Sequence, residues 1–193
     1  MAKNSKRAIE RLIETAVQAQ KRAYCPYSRY PVGAAVLTAG GRVFPGCNVE
    51  NASYGLAMCA ERAAIYHAVA SGFDAIQAVA VVGAAAKPCG ACRQVMIEFS
   101  DKDTEIYLVD LNPTTGRRHV IKTTVYKLLP MAFDPLASGL LPANPRNLLK
   151  RRSTARRSKK NSIQPATPAE AVNPATPHRG WIPKSPGSGM AQR

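Results

Sequence analysis

The sequence predicts a layered α/β domain built on a mixed sheet of about five strands. Three observations predict it. An amphipathic helix opens the chain, a glycine-turned hairpin follows, and strand and helix patterns then alternate as far as residue 129.

Residues 5–22 place Ile9, Leu12, Ile13, Ala16, Val17 and Ala19 at helical spacing with Lys, Arg and Glu opposite, so this helix covers one side of a sheet. Pro26 and Pro31 fix the path of the loop 24–30. Strands at 32–37 and 42–48 flank Ala39-Gly40-Gly41, where glycine permits the positive φ of a tight turn. A polar and aromatic loop, 51–56, leads into a helix at 58–71. That helix is apolar over most of its surface, which predicts burial against the sheet, and Gly72 ends it. The unbroken apolar run 76–82 predicts a strand covered on both faces. A helix at 91–99 and a strand at 104–109 follow. The turn Asn112-Pro113-Thr114-Thr115-Gly116 leads to a short strand at 119–122 and a short helix at 124–129.

Charge divides the chain. Of the formal net charge of +15, the segment from Asn144 onward carries +10, with eleven of the 27 basic residues and one of the 12 acidic ones. The high pI therefore belongs to the C-terminal part and does not describe the domain. Residues 1–141 form the expected domain. Residues 142–193 are basic, rich in proline and poor in apolar residues, so disorder is expected there. The clusters Lys150-Arg151-Arg152 and Arg156-Arg157-Ser158-Lys159-Lys160 would touch nucleic-acid phosphates without sequence preference, or form an inert solvated extension. Five cysteines beside an opening that lacks the pattern of a signal peptide argue for free thiols in a reducing cytoplasm. No apolar run reaches membrane-spanning length, so no membrane contact is expected.

The chemistry concentrates in Cys59-Ala60-Glu61-Arg62 and Pro88-Cys89-Gly90-Ala91-Cys92. Cys89 and Cys92 give two ligands aimed at one ion, and Cys59 completes a three-thiol face for zinc. Catalytic zinc keeps one position open to water, and Glu61 stands where it can handle that water's proton. Three thiolates outweigh the charge of the ion, so the excess must be offset. The starts of two helices and the guanidinium of Arg62 can do so. A structural site would instead need a fourth ligand. His67 lies more than two helical turns from Cys59, but Cys47 stays open as that ligand.

Cys-x-Glu paired with Pro-Cys-x-x-Cys resembles the zinc nucleoside deaminase signature. The segments 24–28, 31–35, 46–55 and 88–95 extend the resemblance to the small homotetrameric cytidine deaminases, over roughly residues 6–135. That resemblance implies a three-layer α/β/α fold and one Zn²⁺ per subunit held by Cys59, Cys89 and Cys92. It implies Glu61 as the proton carrier in hydrolytic deamination of cytidine and 2′-deoxycytidine, and Arg62 hydrogen-bonded to ligand sulfur. Asn48 and Glu50, two apart on one strand and so on one side, would bind the ribose, with Glu50 on the 3′-hydroxyl. Tyr30, where the family often has Phe, would pack on the base or sugar. Val32 and Tyr54 would line the same pocket, with Ala60 and Glu61 reading the pyrimidine edge. Phe133 would reach into a neighbouring subunit's site within a homotetramer, or else be an ordinary core residue. The segment 83–87 is shorter than is usual in the family. Two other readings compete: a deaminase of a cytosine antibiotic of the blasticidin type, and a nucleic-acid-binding zinc protein using the basic tail. The Asn48-Val49-Glu50-Asn51 run favours the plain nucleoside.

Overall fold

The computed structural model describes residues 4–112, 114–135 and 137–140. Its order is α1 (Lys6–Gln20), β1 (Gly33–Thr38), β2 (Val43–Cys47), α2 (Ala60–Ala70), β3 (Ile76–Gly83), α3 (Gly90–Phe99), β4 (Glu105–Leu111), β5 (Arg118–Thr124) and α4 (Val125–Leu128). The five strands form one sheet in the order β2-β1-β3-β4-β5. The pair β3–β4 is parallel, and the other three pairs are antiparallel. The sheet is therefore mixed, as the alternating pattern predicts. The expected tail, 142–193, lies outside the described residues.

Alternation along the central strands assigns the layers. Ala35 and Leu37 of β1, Ala78, Ala80 and Val82 of β3, and Tyr107 and Val109 of β4 pack with Leu12, Ile13, Ala16 and Val17 of α1. The intervening Ala34, Val36, Val79, Val81, Ile106 and Leu108 pack on the other face with Ala60, Ala64 and Ile65 of α2 and Met96 of α3. This is the α/β/α sandwich. Leu12, Ile65 and Met96 are fully buried, each worth about 1.5–3 kcal/mol of transfer free energy. The Arg118 pairs with Glu10 (3.3 Å) and Glu14 (2.8 Å) also join α1 to β5. These exposed pairs contribute about 0–1 kcal/mol each. Apolar burial, not charge, seats α1.

Local chemistry sets the boundaries. Ser5 caps α1, accepting from the Ala8 amide at 3.2 Å. Gly41, φ +74°, closes the β1–β2 turn, and Gly72, φ +87°, follows α2. The second helix starts at Ala60 and not at Met58, because Met58 exchanges two backbone hydrogen bonds of 2.9 Å with Val49. Residues Tyr54–Leu56, expected as loop, form one 3₁₀ turn. The buried Thr104 hydroxyl donates to Ile76 O at 3.1 Å and marks the entry to β4. Among the described residues no helix is long and apolar enough to cross a membrane.

Candidate active site

The segment that follows β2 is fastened on two sides. Tyr24 N donates to Asn48 O (3.0 Å) and Glu50 N to Tyr24 O (2.8 Å), while Val49 pairs with Met58 on the other side. This carries residues 48–50 to the start of α2. There Cys59 is the N-cap, and Cys89 is the N-cap of α3. Neither side chain caps its helix, and both thiols stand at the positive dipole ends of their helices. Cys92, in the first turn of α3, is fully buried.

The three sulfurs lie within 4.8 Å of one another. Cys59 Sγ is 4.0 Å from Cys89 Sγ, which is 3.5 Å from Cys92 Sγ. Among the described residues this is the one group of three or more His, Cys, Asp or Glu side chains close enough to share an ion. The donors fit the three-thiolate face of a zinc site that keeps its fourth position open. Cys47 does not close it: its thiol donates to Arg22 O at 3.4 Å. His67 turns to Pro45 O at 3.1 Å and stacks edge-on against Phe44, so it is no ligand either.

Electrostatics favour the charged thiol. Hydrogen bonding with Cys92, then with Arg62, holds Cys59 down to about 5. The Cys92 thiol is pushed up by its bond to Cys59 and by burial. The Arg62 guanidinium stands 3.6 Å from Cys59 Sγ and 3.5 Å from Ala57 O through Nη2. Its place is the sulfur cluster and not a surface ion pair.

Glu61 is only 4% exposed. Burial pushes its carboxyl above the usual carboxylate range, and the Cys59 charge adds to the effect. A buried carboxyl beside three thiols has no solubility role.

The other expected site residues make contacts of their own. The Asn48 side chain spans the segment before β1, donating to Tyr30 O (3.0 Å) and accepting from Val32 N (2.8 Å). One amide hydrogen remains for an outside acceptor. Glu50 Oε2 accepts from the Tyr27 and Ser28 amides at 2.9 and 3.2 Å. Hydrogen bonds from Ser28 and Tyr27 hold its carboxyl below the usual range, so it stays charged. The Tyr30 hydroxyl donates to Ala84 O at 2.6 Å. Burial, with Asp110 and Glu61 adding to it, raises the Tyr30 pKa and keeps that proton in place. Val32 is half-buried against the α2 core, and Ala60 is fully buried at the helix start. Tyr54 stacks edge-on against Tyr27 at 5.8 Å and is 76% exposed. Phe133 is 62% exposed, which overturns the core reading of that residue.

Two residues beyond the expected set brace the cluster. Arg93 donates from Nε to Pro88 O and from Nη1 to Leu128 O, both at 2.8 Å. Gln94 donates to Phe133 O at 2.7 Å. They tie the turn before Cys89 and the segment bearing Phe133 to α3. Their position directly after Cys92 was the available signal, since neighbours of a ligand often orient it.

Comparison with known proteins agrees with this geometry. Residues 6–108, over half of the chain, match the model of the cytidine and deoxycytidylate deaminase zinc-binding region. A cytidine deaminase of Sporosarcina psychrophila is 44% identical over 129 residues, which is 65% of this chain and 91% of that one. The cytidine deaminase of Halalkalibacterium halodurans is 48% identical over 125 residues, 63% and 91% of the two chains. The crystal structure of cytidine deaminase from Burkholderia pseudomallei superposes with a TM-score of 0.56 at 48% identity, covering 64% of this chain and 98% of that one. Three thiols at zinc-site spacing, a buried carboxyl beside them and these likenesses point one way: the chain belongs to the cytidine and deoxycytidylate deaminase family.

Proposed function

We propose that the protein hydrolyses the C4–amino bond of cytidine and 2′-deoxycytidine, giving uridine or 2′-deoxyuridine and ammonia in pyrimidine salvage. The observation that carries this reading is Glu61, a buried carboxyl two residues from Cys59 and beside the thiols, able to hold or release a proton. Cys59, Cys89 and Cys92 would hold zinc, which would supply Lewis-acid activation of water. Glu61 accepts one proton of the attacking water and gives it to ring N3 as the oxygen adds to C4. It then takes the remaining proton from that oxygen and gives it to the amino group, so the C4–N bond breaks, ammonia leaves and the C4 carbonyl forms. Arg62 offsets the negative charge of the thiolates at Cys59.

Asn48 and Glu50 bind the ribose hydroxyls, with Tyr30, Val32 and Tyr54 lining the pocket and Ala60 with Glu61 reading the pyrimidine edge. Because Glu50 is held in its charged form, it repels a phosphate at the 3′ position and favours a free nucleoside over a polynucleotide. Phe133 completes a neighbouring site in a homotetramer. Its exposure and that of Tyr54, Leu56 and Met131 support such burial between subunits. A Phe133→Ala variant is expected to raise KM for cytidine about ten-fold. Mixing it with Glu61→Gln subunits should restore some wild-type sites if sites are shared. Mixtures no more active than the variants alone would show each subunit complete.

The direct test is the absorbance change of cytidine with the zinc-loaded full chain, run beside cytidine 5′-monophosphate, blasticidin and a short cytosine oligonucleotide. Conversion of cytidine and not of the oligonucleotide supports the nucleoside reading. Conversion of blasticidin alone would replace it with the antibiotic deaminase. Conversion of the oligonucleotide would instead bring the basic tail into the reaction.

A further inference from the structure

The two departures from the resembled pattern, Tyr30 and the short segment 83–87, meet at one hydrogen bond. The Tyr30 hydroxyl donates to Ala84 O at 2.6 Å. Ala85, next in the chain, has φ +52°, a left-handed conformation that a side chain adopts only when its surroundings hold it there. Asp110 in β4 supplies one hold, accepting from Ala85 N at 3.0 Å. Tyr30 supplies another, one residue earlier. The alanines at 84–86 offer no polar side chain of their own. The turn also lies directly against the substrate-facing segment: a Cβ on Gly83 would stand 2.8 Å from Ala86 Cβ, 3.5 Å from Pro31 O and 3.6 Å from Val32 Cγ2. At its other end Tyr30 is fixed by the Asn48 side chain, which bonds both Tyr30 O and Val32 N.

We propose that Tyr30 is a positioning residue whose hydroxyl acts as a strut between two walls of the active site, the substrate-facing segment 30–32 and the turn that delivers Cys89. A longer turn could brace itself with its own polar groups. This one borrows a hydroxyl from the opposite wall. The ring that faces substrate and the backbone leading to a metal ligand are thereby made one unit.

Tyr30→Phe removes the hydroxyl and keeps the ring. In the zinc-loaded protein, amide hydrogen exchange at residues 84–87 is expected to accelerate roughly five-fold, the effect of one lost hydrogen bond, with exchange in α1 unchanged. KM for cytidine should rise by a similar factor with kcat nearly constant, because a loosened wall weakens ground state and transition state alike. Unchanged exchange at 84–87 would overturn the strut. So would acceleration spread evenly over the sheet with KM unmoved, the mark of plain destabilisation. The kinetic arm rests on the deaminase reading. Exchange is measured without turnover, so a wild-type protein inactive on cytidine would sink that reading and leave the strut to be judged on exchange alone.

Discussion

Replacing Glu61 by Gln is expected to leave zinc bound and to slow cytidine turnover by about three orders of magnitude, within the range of general acid–base catalysis. The amide has the shape of the carboxyl, and Glu61 is not part of the sulfur cluster, so metal stoichiometry should stay at one per subunit. The amide cannot accept the water's proton or return it to the leaving nitrogen. Stability gives a second signature. Glu61 is 4% exposed, and burying a carboxylate costs more than burying an amide. The variant's Tm should therefore hold or rise while activity collapses, a pattern that separates a functional group from a structural one. Metal analysis, thermal unfolding and a cytidine assay on one preparation suffice. A zinc-loaded variant within ten-fold of wild-type turnover would end the assignment of Glu61. Loss of the metal would make Glu61 a supporter of the zinc site rather than a proton carrier.

Much of this site is legible in the sequence because its parts are local. Cys89 and Cys92 sit three apart across a helix start, and Cys59 and Glu61 two apart across another, so spacing alone carries the chemistry. The strand at Ile76–Gly83 is legible for a similar reason: residues buried on both faces leave an unbroken apolar run. What spacing does not carry is the set of bonds between distant segments. Arg93 reaches Leu128 O, 35 residues on, and the Asn48 amide ends on the backbone of Tyr30 and Val32. A guanidinium or an amide has many partners open to it, and the fold selects among them. The start of α2 shows the converse error. Met58 continues the apolar pattern of the helix, but its backbone is already committed to Val49, and hydrogen bonding outweighs pattern there. The sequence leaves Phe133 between the core and a neighbour's site, because an aromatic residue alone does not say which apolar surface it meets. Its exposure rules out the first within this chain.

Gly46→Ala is expected to strip the site of metal and activity while touching no ligand. Gly46 lies on β2, paired with Ala34, and the backbone of α2 rests directly on it. A Cβ there would stand 2.3 Å from Ala64 N, 2.6 Å from Ala60 O and 2.8 Å from Ala64 Cα. These are backbone atoms of the helix, so no side chain can rotate out of the way. Either α2 lifts from the sheet or β2 leaves its register. Overpacking of this kind costs about 3 kcal/mol, which corresponds to a fall in Tm of about 10 °C for a domain of this size. Lifting α2 carries Cys59 and Glu61 away from Cys89 and Cys92, which stand on α3. Zinc should then pass to a weak chelator that leaves the wild type loaded. Gly55→Ala is the control, because a Cβ there meets nothing within 4 Å and its Tm should not move. If Gly46→Ala kept both its Tm and its zinc, the contact between β2 and α2 would not be what fixes Cys59. The helix start would then have to be held by the bridge between Val49 and Met58 alone. The close approach at Gly46 adds a second constraint to that bridge. Together they hold Cys59 and Glu61 at a fixed distance from the other two thiols.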